Sequence, residues 1–333
     1  MGNAAGAKFH EIVGVCCPCR QWVWHDRGVI RGLIRTIRPH QWVKNLFVMA
    51  PVFFARDVFS RTVTGASALN LDIVGPAVLA TTVFCFLAGA VYTLNDLVDV
   101  EGDRVHPQKC KRPIASGEVP IPVARLFAGA LVVGSLAAAY FIHPMFAAVA
   151  LAYFVENVFY SFKLKKVPFL DVGLISLGFV LRVVAGGIAT GTRVSGYMYA
   201  CTALLSLFLG FGKRRYEIAS DNADKQRAVL KLYSAKSLTW ALGLTGVLTF
   251  GTYLAYTLDA DTQAFFQSKL LWLTAPFTAF GLIRFLYLVT GRGGKGLRSE
   301  SPTQEMLRDV PFVLNLVVWV VVVVAIVYRL QPA

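Results

Sequence analysis

The sequence predicts an all-α integral membrane protein, a bundle of about nine transmembrane helices with its N-terminus in the cytoplasm. Three observations predict it. Of the 333 residues, 56% are hydrophobic, and the mean hydropathy is +0.58, well above that of a soluble domain of this size. The apolar residues are gathered in long blocks, which suits membrane spans better than a soluble core. The Lys and Arg residues between the blocks alternate between many and few, which suits a chain that crosses a bilayer repeatedly.

The blocks lie at about 42–57, 73–98, 122–142, 144–162, 169–191, 195–212, 238–258, 269–290 and 310–329. The first is the weakest, because Pro51 interrupts about sixteen residues. The third and fourth meet at His143-Pro144, which predicts a tight turn. The last contains VVWVVVVVAIV and is plainly a span. With the N-terminus inside, the inner segments hold Lys8 to Lys44, Arg104 to Arg125, Lys163 to Lys166, Lys213 to Lys236 and Arg292 to Arg308. The outer ends hold only Arg56, Arg61, Arg193, Lys269 and Arg329. The net charge of +14 therefore reads as topology and contact with anionic lipid, not as a nucleic-acid surface. This predicts a multi-pass protein of the cell (inner) membrane.

Residues 1–40 form a cytoplasmic or interfacial lead-in, and residues 41–330 a membrane catalytic domain. RGVIRGLIRTIR, at 27–38, repeats basic residues every three or four positions, as a helix on a membrane surface does. The first forty residues are too polar for the apolar core of a signal peptide. Cys16, Cys17 and Cys19 cluster between His10 and His25, but their spacing is poor for zinc. They read as free thiols in a reducing compartment.

Four stretches carry candidate chemistry, all predicted at the cytoplasmic face. In NDLVDVEGDRVHPQKCKRP, Asp96, Asp99 and Asp103 sit at i, i+3 and i+7 and share one helical face. Carboxylates so close repel unless a cation joins them, and oxygen donors suit Mg²⁺, which adds water and substrate phosphate to one or two carboxylates. Asn95 can orient a ligand oxygen. Arg104, Lys109, Lys111 and Arg112 follow at once, so the stretch reads as a clamp for a diphosphate. In YSFKLKKVPFLD, Tyr160 and Lys163 end the fourth span and Asp171 opens the fifth. Arg182 lies eleven residues on, about 16 Å deeper by helix rise; a buried Arg in a bilayer lines a polar cavity or pairs an acid such as Glu156. Lys213 and Arg214, in GKRRYE, end the sixth span. Lys44 and Asn45, in RPHQWVKN, enter the first, with Trp42 as an interfacial anchor.

NDLVDVEGDR resembles the NDxxDxxxD signature of the UbiA-type intramembrane prenyltransferase superfamily. RPHQWVKN, the stretch from Asn95 to Gly117, YSFKLK, GKRRYE and SPTQEMLRDVPFVLNLVVW are similar to the phosphoribosyltransferase branch of that superfamily. The resemblance covers about residues 35–330. It implies a UbiA-like bundle and transfer of 5-phosphoribose from 5-phosphoribosyl-1-diphosphate to polyprenyl (decaprenyl) phosphate, as lipid-linked pentose for cell-envelope glycans. It implies Mg²⁺ on Asp96, Asp99 and Asp103, with Lys44 and Arg182 also catalytic. The substrate-binding set it implies is Asn95, Arg104, Lys109, Lys111, Arg112, Tyr160, Lys163, Asp171, Lys213 and Arg214. A homo-oligomer is compatible with the sequence. Prenylating members carry a second acidic motif, DxxxD; here Asp171 stands alone, with Ile175 four residues on, which favours the phosphoribosyl branch. The alternative is transfer of a prenyl chain from its diphosphate to an aromatic acceptor. A transporter is disfavoured, since its polar residues would gather near the bilayer midplane.

Overall fold

The computed structural model describes residues 26–54, 58–61, 67–106, 108–162, 164–219, 230, 232–290, 306 and 308–329. Lys163 and the cluster Cys16, Cys17 and Cys19 lie outside the described residues.

The elements in chain order are α1 (Asp26–Thr36), a 3-10 segment (Pro39–Val48), α2 (Ala50–Phe53), β1 (Phe59–Arg61), β2 (Ser67–Leu69), α3 (Leu71–Val98), α4 (Val100–Val105), α5 (Ile121–Ile142), α6 (Pro144–Phe162), α7 (Leu170–Thr190), α8 (Gly196–Ala219), α9 (Ala235–Leu258), α10 (Ala260–Phe266), α11 (Ala275–Thr290) and α12 (Val310–Val324). Seven helical stretches among the described residues are long and apolar enough to cross a membrane: Leu71–Val98, Ile121–Ile142, Pro144–Phe162, Leu170–Thr190, Ala235–Leu258, Leu271–Thr290 and Val310–Tyr328. The protein is therefore a helical multi-pass membrane protein.

Two expectations change. The first predicted span, 42–57, is not one α-helix: a 3-10 segment ends at Val48, and α2 restarts with Pro51 in its first turn. Proline has no N–H and clashes with the preceding turn, so it is best tolerated in the first turn of a helix. The all-α expectation also omits a small hairpin, in which Phe59 pairs with Leu69 and Arg61 with Ser67, antiparallel.

The other helix ends follow local chemistry. Pro144 opens α6 where His143 closes the turn from α5. Gly191 ends α7 in the left-handed region at φ +66°, which glycine adopts without a Cβ clash. The side chains of Ser234, Asp259 and Asp309 accept the backbone N–H three residues on and cap α9, α10 and α12.

The chain divides into two compact units. The first comprises residues 1–41 and 88–132. Its core is Val100, Ile114, Val119 and Ala124, with Leu33, Leu97, Ile121 and Val123 packed against them. The second comprises residues 42–87 and 133–333. In it α7 packs between α6 and α8, and α9 packs on α8. A Cβ on Gly186 of α7 would lie 1.9 Å from the Val48 carbonyl oxygen, and one on Gly210 of α8 would lie 2.5 Å from Val172 Cγ1. Small residues let backbones approach this closely in membrane bundles. Phe208, Phe211, Leu238, Leu242 and Phe285 fill the space between α8, α9 and α11.

Candidate active site

In the first unit, α3 ends at Val98 and α4 begins at Val100. The predicted run of helix through all three aspartates is thus interrupted at Asp99. The i→i−4 bonds from Asp99 N to Asn95 O (3.0 Å) and from Asp103 N to Asp99 O (2.8 Å) nevertheless carry the turn onward. Asp96 and Asp103 are each 2% exposed, while Asp99 and Asn95 are half-buried.

Arginines neutralise the two buried carboxylates. Arg112 donates from Nη1 to Asp103 Oδ2 (2.6 Å) and to Asp96 Oδ1 (3.0 Å). Arg38 donates from Nη2 to Asp96 Oδ1 (2.5 Å), and its guanidinium lies over the Tyr92 ring. Two acids against two guanidiniums satisfy a buried charge cluster that neither sign could occupy alone. Arg38 is one of three non-glycine residues at positive φ among the described residues, at +52°, a conformation that costs about 1–3 kcal/mol and needs support from its surroundings.

The predicted cations around this pair divide. Arg112 faces it. Arg104 is exposed and pairs with Glu101 (2.9 Å), and Lys111 is exposed. Lys109 is half-buried beside His106, whose Nδ1 accepts from the backbone N–H of Gln108 (3.2 Å) and Lys109 (3.4 Å). Burial, then the charge of Lys109, lower the His106 pKa from its ordinary 6.5, so the ring stays neutral and able to accept.

The second unit holds two polar networks. Asp171, 0% exposed, opens α7. Its Oδ2 accepts from Arg214 Nε (2.7 Å) and its Oδ1 from the Tyr233 hydroxyl (2.6 Å). Arg214, 1% exposed, also donates to Glu217 Oε2 (2.6 Å). The Tyr233 oxygen accepts from the backbone N–H of Phe169 (2.5 Å), at φ +64°. Burial, then the bond to Asp171, raise the Tyr233 pKa and keep the phenol protonated. Tyr160 is half-buried and interacts electrostatically with Arg214. Lys213 and Lys44 are half-buried.

The other network surrounds Arg182, 6% exposed. It donates to Asn45 Oδ1 (2.8 Å), Gly178 O (2.9 Å) and the Tyr153 hydroxyl (2.8 Å). Its guanidinium also lies over the Tyr153 and Phe179 rings. Glu156, offered above as a partner, accepts from Asn157 Nδ2 (2.7 Å) and interacts with Arg182 through space rather than by a hydrogen bond.

Four contributors are not assigned by the sequence, among them Tyr153, which carries no local sign of its bond to Arg182 29 residues on. Arg38 and Glu217 stood inside quoted motifs without a role, so the motif itself was their signal. Tyr233 has no local signal, because its partner is 62 residues away.

The match to family models settles the kinship. Residues 58–300 match the UbiA prenyltransferase family. The chain belongs to that family. Within it, this UbiA-family chain is 31% identical to the decaprenyl-phosphate phosphoribosyltransferase of Mycolicibacterium smegmatis, over 91% of this chain and 94% of that one. It is 33% identical to the decaprenyl-phosphate phosphoribosyltransferase of Corynebacterium glutamicum, over 91% of this chain and 88% of that one. Among solved structures, a UbiA homolog from Archaeoglobus fulgidus bound to GPP and Mg²⁺ aligns with a TM-score of 0.65 at 21% identity, over 89% of this chain and 99% of that one. At that identity the likeness supports the UbiA fold alone.

Proposed function

We propose that this UbiA-family enzyme transfers 5-phosphoribose from 5-phosphoribosyl-1-diphosphate to a polyprenyl phosphate. The observation that carries the reading is the pair of relatives at 31% and 33% identity over 91% of this chain, both decaprenyl-phosphate phosphoribosyltransferases. The state of Asp171 supports it over the prenyl-donor alternative. Both carboxylate oxygens of that residue are taken up by Arg214 and Tyr233, and no second acid follows four residues on.

The donor chemistry of the first unit fits Mg²⁺. Asp96, Asp99 and Asp103 offer oxygen donors, and that cation is content with one or two carboxylates plus water and phosphate. Among the described residues no three Asp, Glu, His or Cys groups close on one point, so the protein supplies a partial shell that a diphosphate would complete. Bound Mg²⁺ would supply charge neutralisation of the departing diphosphate.

In the proposed reaction the bond from ribose C1 to the diphosphate oxygen breaks, and its electron pair leaves with diphosphate. A bond forms from C1 to an oxygen of the polyprenyl phosphate, giving polyprenyl-phosphoryl-5-phosphoribose. The nucleophile is already an anion, so no general base is needed. Arg112 and Arg38 are proposed to stabilise diphosphate charge, with Asn95, Arg104, Lys109 and Lys111 binding around it. Lys44, Tyr160, Lys163, Arg182 and Lys213 are proposed to hold the two phosphate monoesters. Asp171 and Arg214, which the sequence reading placed with the substrate, are proposed to brace α7 against α8. Part of the acceptor tail is proposed to lie in an apolar cavity of about 390 Å³ in the second unit, lined by Phe47, Leu205, Phe208, Phe277, Leu316 and Trp319 among others.

For topology we propose nine spans, the seven above joined by α8 and the segment 39–53, with an inner-membrane location and a cytoplasmic site. The test is to incubate purified protein with radiolabelled 5-phosphoribosyl-1-diphosphate, Mg²⁺ and decaprenyl phosphate, and to count label in the organic phase. Metal-dependent label that Asp96→Ala abolishes is expected. No label from folded protein, with transfer from a prenyl diphosphate instead, would overturn the reading.

A further inference from the structure

Helix α1 lies in the first unit and shows two faces. Gly32, Thr36 and Ile37 are buried, and Leu33 packs on the core of that unit. Ile30, Arg31, Ile34 and Arg35 are exposed; at 100° per residue they form one stripe, isoleucines along one edge and arginines along the other. Ile30 is 61% exposed and Ile34 54%.

Two contacts set the height of this helix. A Cβ on Gly89 would lie 2.9 Å from Ile37 Cβ, and one on Gly32 would lie 2.6 Å from Val119 Cγ2. Gly89 precedes the end of α3 by nine residues, about 14 Å by helix rise. The 28 residues of α3 span about 42 Å, against about 30 Å of hydrocarbon. A centred α3 therefore puts Gly89 about 8 Å inside the hydrocarbon edge. Val119 lies two residues before α5 begins, at the loop level. The exposed stripe of α1 thus crosses the boundary between acyl chains and headgroups, with Ile34 toward the chains and Arg31 toward the headgroups.

We propose that α1 is a docking surface for anionic lipid, with Ile34 in the acyl boundary and Arg31 on a headgroup phosphate. An apolar edge beside a basic edge at that height is what an amphipathic helix at a membrane interface presents, and an anionic leaflet attracts the arginines. The same helix braces the acid cluster. Arg35 donates to Glu118 Oε2 (2.7 Å) and to the carbonyl oxygen of Lys111 (3.4 Å), next to Arg112, while Arg38 follows the helix and holds Asp96. Anionic lipid on α1 therefore steadies the arginines on Asp96 and Asp103; this regulatory part rests on the proposed function, whereas the docking does not.

The test uses the full chain with photoreactive p-benzoylphenylalanine in place of Ile34, in vesicles of phosphatidylcholine or of equimolar phosphatidylcholine and phosphatidylglycerol. Mass spectrometry after illumination reads the adduct. Lipid adducts are expected, with the ratio of phosphatidylglycerol to phosphatidylcholine adducts about five-fold above their 1:1 ratio in the bilayer, the effect of one arginine at an anionic surface. Arg31→Glu should abolish the enrichment and leave the lipid adduct. Adducts in proportion to lipid composition would overturn the anionic preference. A protein–protein adduct would overturn lipid docking in favour of a second copy, and water-quenched probe would overturn docking altogether. The initial transfer rate should rise with phosphatidylglycerol in wild type and not in Arg31→Glu; an equal rate in both vesicles would refute the regulatory part. Absence of any transfer would count against the proposed function and leave the adduct result intact.

Discussion

Arg112→Lys separates geometry from charge in the acid cluster. The guanidinium bridges Asp96 and Asp103 at 3.0 and 2.6 Å, and a lysine ammonium in its place keeps the charge but serves only one carboxylate. A hydrogen bond to a charged group contributes about 1.5–3 kcal/mol. The Arg112 side chain is 29% exposed, so solvent weakens each bond and the lower figure applies. Losing one of two bonds then costs about 1.5 kcal/mol, or roughly tenfold in kcat/KM for the phosphoribosyl donor. Arg112→Ala loses both, about 3 kcal/mol and roughly a hundredfold or more. Removing a cation beside the acids should also lower the Mg²⁺ concentration for half-maximal rate in Arg112→Ala, while donor KM rises. Both variants are to be assayed by label transfer with donor and metal titrated separately. A lysine variant within about threefold of wild type, a difference below 1 kcal/mol, would refute the bridging role. A Mg²⁺ requirement that rises in the alanine variant would refute the view that Arg112 competes for those carboxylates.

Further outcomes follow from the same geometry. Tyr233→Phe leaves Asp171 Oδ1 and the Phe169 N–H without their shared hydroxyl, and should lower stability by about 2 kcal/mol, read as a lower Tm in detergent; an unchanged Tm would count against the brace. His106 has its pKa lowered by burial, so the folded state resists protonation that the unfolded chain accepts. The stability it contributes is full above the ordinary value of 6.5 and is lost as pH falls below it. The protection of the Gln108 and Lys109 amides, measured relative to their intrinsic exchange rates at each pH, should fall in mildly acid buffer, and His106→Asn should flatten that dependence. Asp309 accepts from Arg284 Nε (3.0 Å) and Nη2 (2.7 Å) and caps Phe312 N (2.9 Å); the Arg284 bond, first, holds its pKa low. Its contribution persists above the ordinary carboxylate range and disappears as pH falls through the lowered value. Asp309→Ala should cost at least the cap, about 1 kcal/mol, measured as faster thermal inactivation than wild type.

The spans were legible because their signal is local and redundant. The predicted blocks 122–142 and 144–162 correspond to α5, Ile121–Ile142, and α6, Pro144–Phe162, since a run of twenty apolar residues has one stable form in a bilayer. The hairpin at 59–61 and 67–69 was not legible, being three residues a side with mixed polarity. Hydropathy predicts the sixth span only to 212, yet α8 continues to Ala219, because Lys, Arg and Glu favour helix while halting a hydropathy count. The acid motif was legible in its spacing: seven residues bring Asp96 and Asp103 to one guanidinium. The partners that finish each network were not. Arg38 is 58 residues from Asp96, and Arg182 is 137 from Asn45; pairing at such distance is decided by tertiary packing, for which one chain carries no periodic sign.

The two deeply buried arginines illustrate why residue type alone under-determines a site. Arg182 and Arg214 are 6% and 1% exposed, and they stand on the neighbouring helices α7 and α8. Arg214 hydrogen-bonds two carboxylates, those of Asp171 and Glu217, so its charge is spent within the protein and its removal would strand a buried acid. Arg182 hydrogen-bonds only neutral oxygens, those of Asn45, Gly178 and Tyr153, and aromatic faces cover its guanidinium. These neutral partners fix its position, and the carboxyl of Glu156 acts on its charge only through space. A cation fixed in this way attracts an anion more strongly than one already bridged by two acids. Of the two, Arg182 is therefore the better candidate for a substrate phosphate, and Arg214 for the brace that holds α7 and α8 in place around their own core.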